Sequence, residues 1–245
     1  MPLTELLPKA MVPLLGRPLI EYQLETLRMA GVSKVAICTG HQASAFKHLG
    51  LPLYHNKQYS RTNMVHSMMV ARSFFEDSRD DILITYGDIV YEKNNLDQVI
   101  STKGELVVMV DDKWLKLWSL RHENPLADAE TMKFDSAGYI KELGGIPASL
   151  CDIDSQYTGI IKIAKEKIAD FISFYDCLRT GASDDNANFQ NMYMTSFLQL
   201  LIDEGWKVMP AHVGGGWLEV DSIDDLRLYE DMSARGVLGE LWQHH

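Results

Sequence analysis

Apolar residues at Leu19, Ile20, Tyr22, Leu24, Leu27 and Met29 recur at helical spacing, and Gly31 stands where a helix end favours a left-handed residue. Lys34 to Gly40 is a short apolar run leaving into a turn, and reads as a buried strand. Two similar runs follow: Asp81 to Tyr86, closed by Gly87-Asp88, and Glu105 to Val110, closed by Asp111-Asp112. Helical character fills Asn63 to Phe75. Nearly continuous apolar strands separated by helices predict an α/β fold with a mainly parallel sheet and helices on both faces. Ligands of such sheets sit beyond the carboxyl ends of the strands. Gly40-His41, Gly87-Asp88 and Asp111-Asp112 should therefore share one rim.

The second half has a different texture. Thr131 to Asp135 and Tyr139 to Leu143 flank Ser136-Ala137-Gly138 as a hairpin would, and Tyr157 to Ile163 reads as another strand. Together they predict a small mixed β lobe from about Lys116 to Ile163. Lys165 to Tyr175, Phe189 to Asp203 and Asp224 to Met232 read as helices, and Trp206 to Pro210 as a strand. Gly181 to Asn186 is a turn-rich loop, and Gly214-Gly215-Gly216 is a hinge-like turn. Nothing forces a domain boundary, so residues 1–245 are expected to form a single domain.

A net charge of −11 argues against broad nucleic-acid binding, which needs a basic footprint. It leaves room for a nucleotide, which needs only a few local cations. Cys38, Cys151 and Cys177 lack metal-site spacing and suggest no disulfide framework, so a reducing cytoplasm is the expected compartment. No run is long and apolar enough to span a bilayer, and no membrane partner is expected.

Several residues could carry chemistry. Asp88 follows a strand and a glycine, which suits either a ligand-facing carboxylate or a turn cap. Strand alternation puts Glu219 and Asp221 on one face, while Ser222, Asp224 and Asp225 suit the start of the next helix. Lys9 lies between Pro8 and Pro13, on a path stiff enough to hold an ammonium in one place. Thr62 or Asn63 would cap the helix that follows. Trp114, Trp118, Glu130, Tyr157 and Trp217 suit either a cage for a quaternary ammonium or core packing.

Pro2-Leu3-Thr4, Pro8-Lys9-Ala10-Met11 and Gly16-Arg17-Pro18-Leu19-Ile20-Glu21-Tyr22 resemble the signature of the nucleotidyltransferases that make sugar nucleotides and CDP-activated small molecules. Tyr86 to Val90 and Trp217 to Asp221 resemble that family's two metal-binding segments. Asn56 to Tyr59 and Thr62 to Ser67 resemble its choline-phosphate branch. The likeness runs from Pro2 to about Tyr229. It implies a Rossmann-like, nucleotide-diphospho-sugar transferase-like fold. It also implies Mg²⁺ held by Asp88 and Asp221, with Lys9 stabilising phosphate charge. Thr4, Asn63, Tyr86 and Gly87 would meet the nucleotide. Glu130, Tyr157, Trp217 and Glu219 would meet the acceptor.

The implied reaction passes a nucleotidyl group from an NTP, CTP above others, to a phosphorylated small molecule such as phosphocholine or phosphoglutamine. Its role would be decoration of a surface polysaccharide. A sugar-1-phosphate nucleotidyltransferase using UTP or TTP, and a non-catalytic nucleotide-binding subunit, are the competing readings. Homodimerisation is left open. In the family a first strand and a glycine-rich loop ending in arginine precede this signature, and here the sequence starts at Met1. Weak catalysis and an uncovered sheet edge are therefore expected. A version extended upstream by such a strand and loop should turn over faster in a pyrophosphate-release assay, and equal rates would count against the loop's importance.

Overall fold

The computed structural model describes residues 7–181 and 187–244. A 3-10 turn at Lys9–Met11 leads into a small antiparallel pair, β1 (Pro13–Leu14) and β2 (Arg17–Pro18). Helix α1 (Leu19–Met29) follows, closed by Gly31 at φ +82 as its spacing predicts. β3 (Ile37–Thr39) pairs in parallel with β4 (Leu53–His55). The helical stretch from Asn63 is two short helices, α2 (Met64–Met69) and α3 (Arg72–Glu76). Then come β5 (Ile82–Thr85), β6 (Ile89–Tyr91), α4 (Lys93–Ser101), β7 (Leu106–Asp111) and α5 (Trp114–Arg121). The expected hairpin is β8 (Met132–Phe134) with β9 (Ile140–Leu143), followed by the long strand β10 (Gln156–Ile163). The chain continues with α6 (Ile168–Gly181), α7 (Ala187–Gln190), α8 (Met194–Asp203), β11 (Val208–Val213), β12 (Trp217–Glu219) and α9 (Ile223–Ala234). Most of the predicted Gly181 to Asn186 loop lies outside the described residues.

The fold is α/β, with a central six-stranded sheet in the order β5-β10-β7-β11-β9-β8. β5, β7, β11 and β8 point one way; β10 and β9 run against them. The hairpin of the mixed lobe thus extends the edge of the main sheet, through a single Val208–Ile140 pairing. Helices cover both faces, which explains the unbroken apolar run of β7. Leu106, Val108 and Val110 pack with Phe75, Phe171 and Phe197 on one side. Val107 and Met109 pack with Leu96, Trp118 and Tyr229 on the other.

Among the described residues, β5 is hydrogen-bonded only to β10, and β3 only to β4. Between their free edges lies a cavity of about 550 Å³. Its walls are the consecutive residues Val35 to Cys38 and Ile82 to Tyr86, and α1, α2 and α3 close it above and below. Consecutive residues along a wall mean that strand edges, and not side-chain faces, line it. The Tyr86 N–H donates to the Gly159 carbonyl, so alternation turns the Leu83 and Thr85 amides toward the cavity. Residue-resolved hydrogen exchange should find those two amides exchanging at least about tenfold faster than Ile84 and Tyr86. Equal protection along β5 would refute the open edge.

Candidate active site

The short ladder between β6 and β12 builds the site. Glu219 pairs with Ile89, Leu218 with Val90 and Trp217 with Tyr91. One step beyond, the Val220 N–H donates to the Asp88 carbonyl at 2.8 Å, which brings Asp221 beside Asp88. The Lys9 turn lies over the same point, and a Cβ on Gly87 would sit 3.2 Å from the Ala10 side chain. Pro8 is extended at φ −62, ψ 149, the path its ring favours.

Lys9 Nζ donates to Asp88 Oδ2 at 3.0 Å and also to Asp221 Oδ1. Burial alone would lower the Lys9 pKa, but the two carboxylates outweigh it and hold the ammonium charged. Asp88 Oδ1 is buried with no hydrogen-bond partner. An unpaired carboxylate oxygen beside a second carboxylate suits an oxygen-seeking cation. Among the described residues no cluster of three or more His, Cys, Asp or Glu side chains is placed to hold a metal. A pair fits Mg²⁺ nonetheless, because that ion is commonly bound by one or two carboxylates plus substrate phosphates.

The cavity reaches this cluster, where Lys9, Asn63, Gly87 and Asp88 line it. Asn63 Oδ1 accepts the Met64 N–H at 2.8 Å, the expected helix cap. Buried Asn56 bonds Thr62 Oγ1 and Ser67 Oγ, both at 2.9 Å, so the Asn-Thr-Ser pattern is a polar knot that closes the loop before α2. Tyr86 meets Tyr157 edge to face at 5.6 Å. Gly159 makes room for Tyr86: at φ +92, a Cβ there would stand 2.8 Å from the ring. The Tyr157 hydroxyl is buried without a partner. Glu130 accepts from Thr195 Oγ1 at 3.1 Å, and burial raises its pKa. Burial also pushes Glu219 up to about 7, although Arg121 pulls the other way. Thr4 lies outside the described residues.

The tryptophans do not form a cage. Trp217 is 2% exposed and its indole N–H donates to Asp111 Oδ2, with Trp118 5.9 Å away. Trp114 and Trp118 are equally buried. Packing took these rings because they sit where α5 and β12 meet the sheet. Asp111 is also spent structurally, accepting from Lys113 N, Gly215 N and Trp217 Nε1.

Sequence reasoning missed Gln23. Its side-chain amide donates to the Tyr86 and Ile89 carbonyls at 2.9 and 2.7 Å, gripping the loop that carries Asp88. The signal was there: Gln23 falls on the stripe Ile20, Leu24, Leu27, where a polar residue needs a partner. Buried Arg121 was also missed, and with it the second role of the helix-start residue Asp225, which pairs with Arg121.

Residues 4–137 match the MobA-like NTP transferase domain. A CTP:phosphoglutamine cytidylyltransferase of Campylobacter jejuni is 38% identical over 236 residues, 93% of this chain and 93% of that protein. The chain belongs to the MobA-like NTP transferase family. It is a nucleotidyltransferase. Two solved structures share the fold. The CTP:phosphocholine cytidylyltransferase of Streptococcus pneumoniae has a TM-score of 0.67 and 19% identity, covering 95% of this chain and 92% of that one. The inositol-1-phosphate CTP transferase of T. maritima has a TM-score of 0.69 and 17% identity, covering 98% and 91%. No helix among the described residues is long and apolar enough to cross a membrane.

Replacing Gln23 by Leu leaves two carbonyls and the Thr85 hydroxyl without their partner. Urea unfolding should show a loss of about 1–3 kcal/mol, and turnover should fall with it. Wild-type stability would remove Gln23 from the site's support.

Proposed function

We propose that this nucleotidyltransferase moves the cytidylyl group of CTP onto a small phosphorylated molecule resembling phosphoglutamine. The reading rests chiefly on the 38% identity to the C. jejuni CTP:phosphoglutamine cytidylyltransferase across 93% of this chain. An oxygen of the acceptor phosphate bonds to the α-phosphorus of CTP. The bond from that phosphorus to the α,β-bridging oxygen breaks, and pyrophosphate leaves. No side-chain nucleophile is needed, since such transfers depend on positioning and charge.

In this proposal Asp88 and Asp221 hold Mg²⁺, which supplies positive charge to the triphosphate when bound. The orphan Asp88 Oδ1 supports that assignment. Lys9 offers its ammonium to phosphate oxygens. Asn63, Tyr86 and Gly87 face the nucleotide, and Thr4 joins them on the sequence likeness alone. Glu130, Tyr157 and Glu219 would meet the acceptor, where carboxylates and an aromatic ring would suit an ammonium. The CDP-activated product would serve surface polysaccharide decoration. The three unpaired cysteines fit a reducing cytoplasm.

Thermal-shift measurements with CTP, UTP and TTP, each with Mg²⁺, should show stabilisation by CTP. Addition of phosphoglutamine should then release pyrophosphate. Asp88→Asn and Asp221→Asn should each lower kcat/KM at least about 100-fold. Stabilisation by UTP or TTP alone would point to a sugar-1-phosphate enzyme. CTP binding without pyrophosphate release would make the chain a binding subunit.

A further inference from the structure

We propose that Arg121 is a positioning residue that sets where the Asp221 carboxylate stands. Arg121 is the last residue of α5, and its side chain is only 1% exposed. Nothing in the chemistry above uses it, yet a buried guanidinium is costly unless fully paired.

Its partners lead to the site. Nε donates to Asp225 Oδ1 at 2.8 Å and Nη2 to Asp225 Oδ2 at 3.3 Å, while Nη1 donates to Glu219 Oε2 at 2.5 Å. Trp118, one turn earlier on α5, puts its ring under the guanidinium at 5.5 Å. Asp225 in turn accepts the backbone N–H groups of Asp221 and Ser222, at 2.9 and 2.8 Å. Ser222 Oγ answers by accepting the Asp225 N–H at 3.1 Å, which completes a capping box at the start of α9.

One rigid fork therefore fixes two things. It clamps the carboxylate that holds the Asp221 peptide, and it holds Glu219 two residues earlier on β12. Asp221 itself is exposed, with 59% of its side chain accessible. Such a side chain gains its direction from the backbone beneath it, and that backbone is tied down through Asp225 to Arg121. Lysine would keep the charge and lose the bidentate fork.

The inference rests on reading Asp88 and Asp221 as cation-holding carboxylates, and its test separates the two claims. Arg121→Lys and the near-isosteric Asp225→Asn are prepared, with melting temperature as the control for folding. Hydrogen exchange at the Asp221 and Ser222 amides is measured in the metal-free protein. Mn²⁺ binding in the presence of CTP is measured from the EPR signal of the free ion. Both variants should accelerate exchange at those two amides about tenfold or more, above any global change. They should also weaken Mn²⁺ binding by about 10–100-fold, the usual cost of losing an outer-shell partner. Wild-type exchange at Asp221 and Ser222 in either folded variant overturns the proposal. So does faster exchange with unchanged Mn²⁺ affinity, which would leave Arg121 a residue of the fold alone. If the wild-type protein binds no Mn²⁺ with CTP, the cation reading fails, and the exchange result still decides whether Arg121 holds the Asp221 backbone.

Discussion

One ammonium group ties this molecule's active edge together. Lys9 Nζ bonds carboxylates that lie 79 and 212 residues away in the chain. Two acidic side chains gathered at one point repel each other, and a cation between them relieves that repulsion. Lys9 is that cation. Under the proposed function, the same demand would be met by a divalent ion brought with a triphosphate, leaving the lysine to phosphate.

The surrounding structure serves this arrangement. The β6–β12 ladder sets Asp221 beside Asp88, Gln23 grips the turn from below, and Gly87 lets the Lys9 turn approach from above. The outer support is Arg121, whose pairing with Asp225 reaches the Asp221 backbone. Buried polar groups are costly unless satisfied, so each of these contacts restricts the loops to few conformations. Next to this well-braced rim lies the free edge of β5, where, among the described residues, backbone groups face a cavity instead of a neighbouring strand.

Much of the framework was legible from local pattern. The helix from Leu19, the run that became β7, the hairpin around Gly138 and the capping box at Ser222 all follow from spacing and turn chemistry. Asp88, Asp221 and Lys9 stood out through their settings and the family likeness. What pattern could not give was pairing. β10 inserts against the direction of β5 and β7, which no property of its own residues announces. Trp217 was misjudged because an aromatic beside a site residue looks the same in sequence whether it faces ligand or core. Its burial depends on Asp111, 106 residues away, taking the indole N–H. Arg121 escaped notice for the same reason: its meaning lies entirely in partners about 100 residues distant.

Simultaneous use of Asp88 and Asp221 is the claim on which the site stands. It can be examined by recording the carboxyl carbon resonances of ¹³C-labelled aspartates in the CTP-bound protein while Mn²⁺ is added. The account predicts that the signals of Asp88 and Asp221 broaden together at substoichiometric Mn²⁺, ahead of the other aspartates. Broadening of one without the other, or of neither, would contradict it.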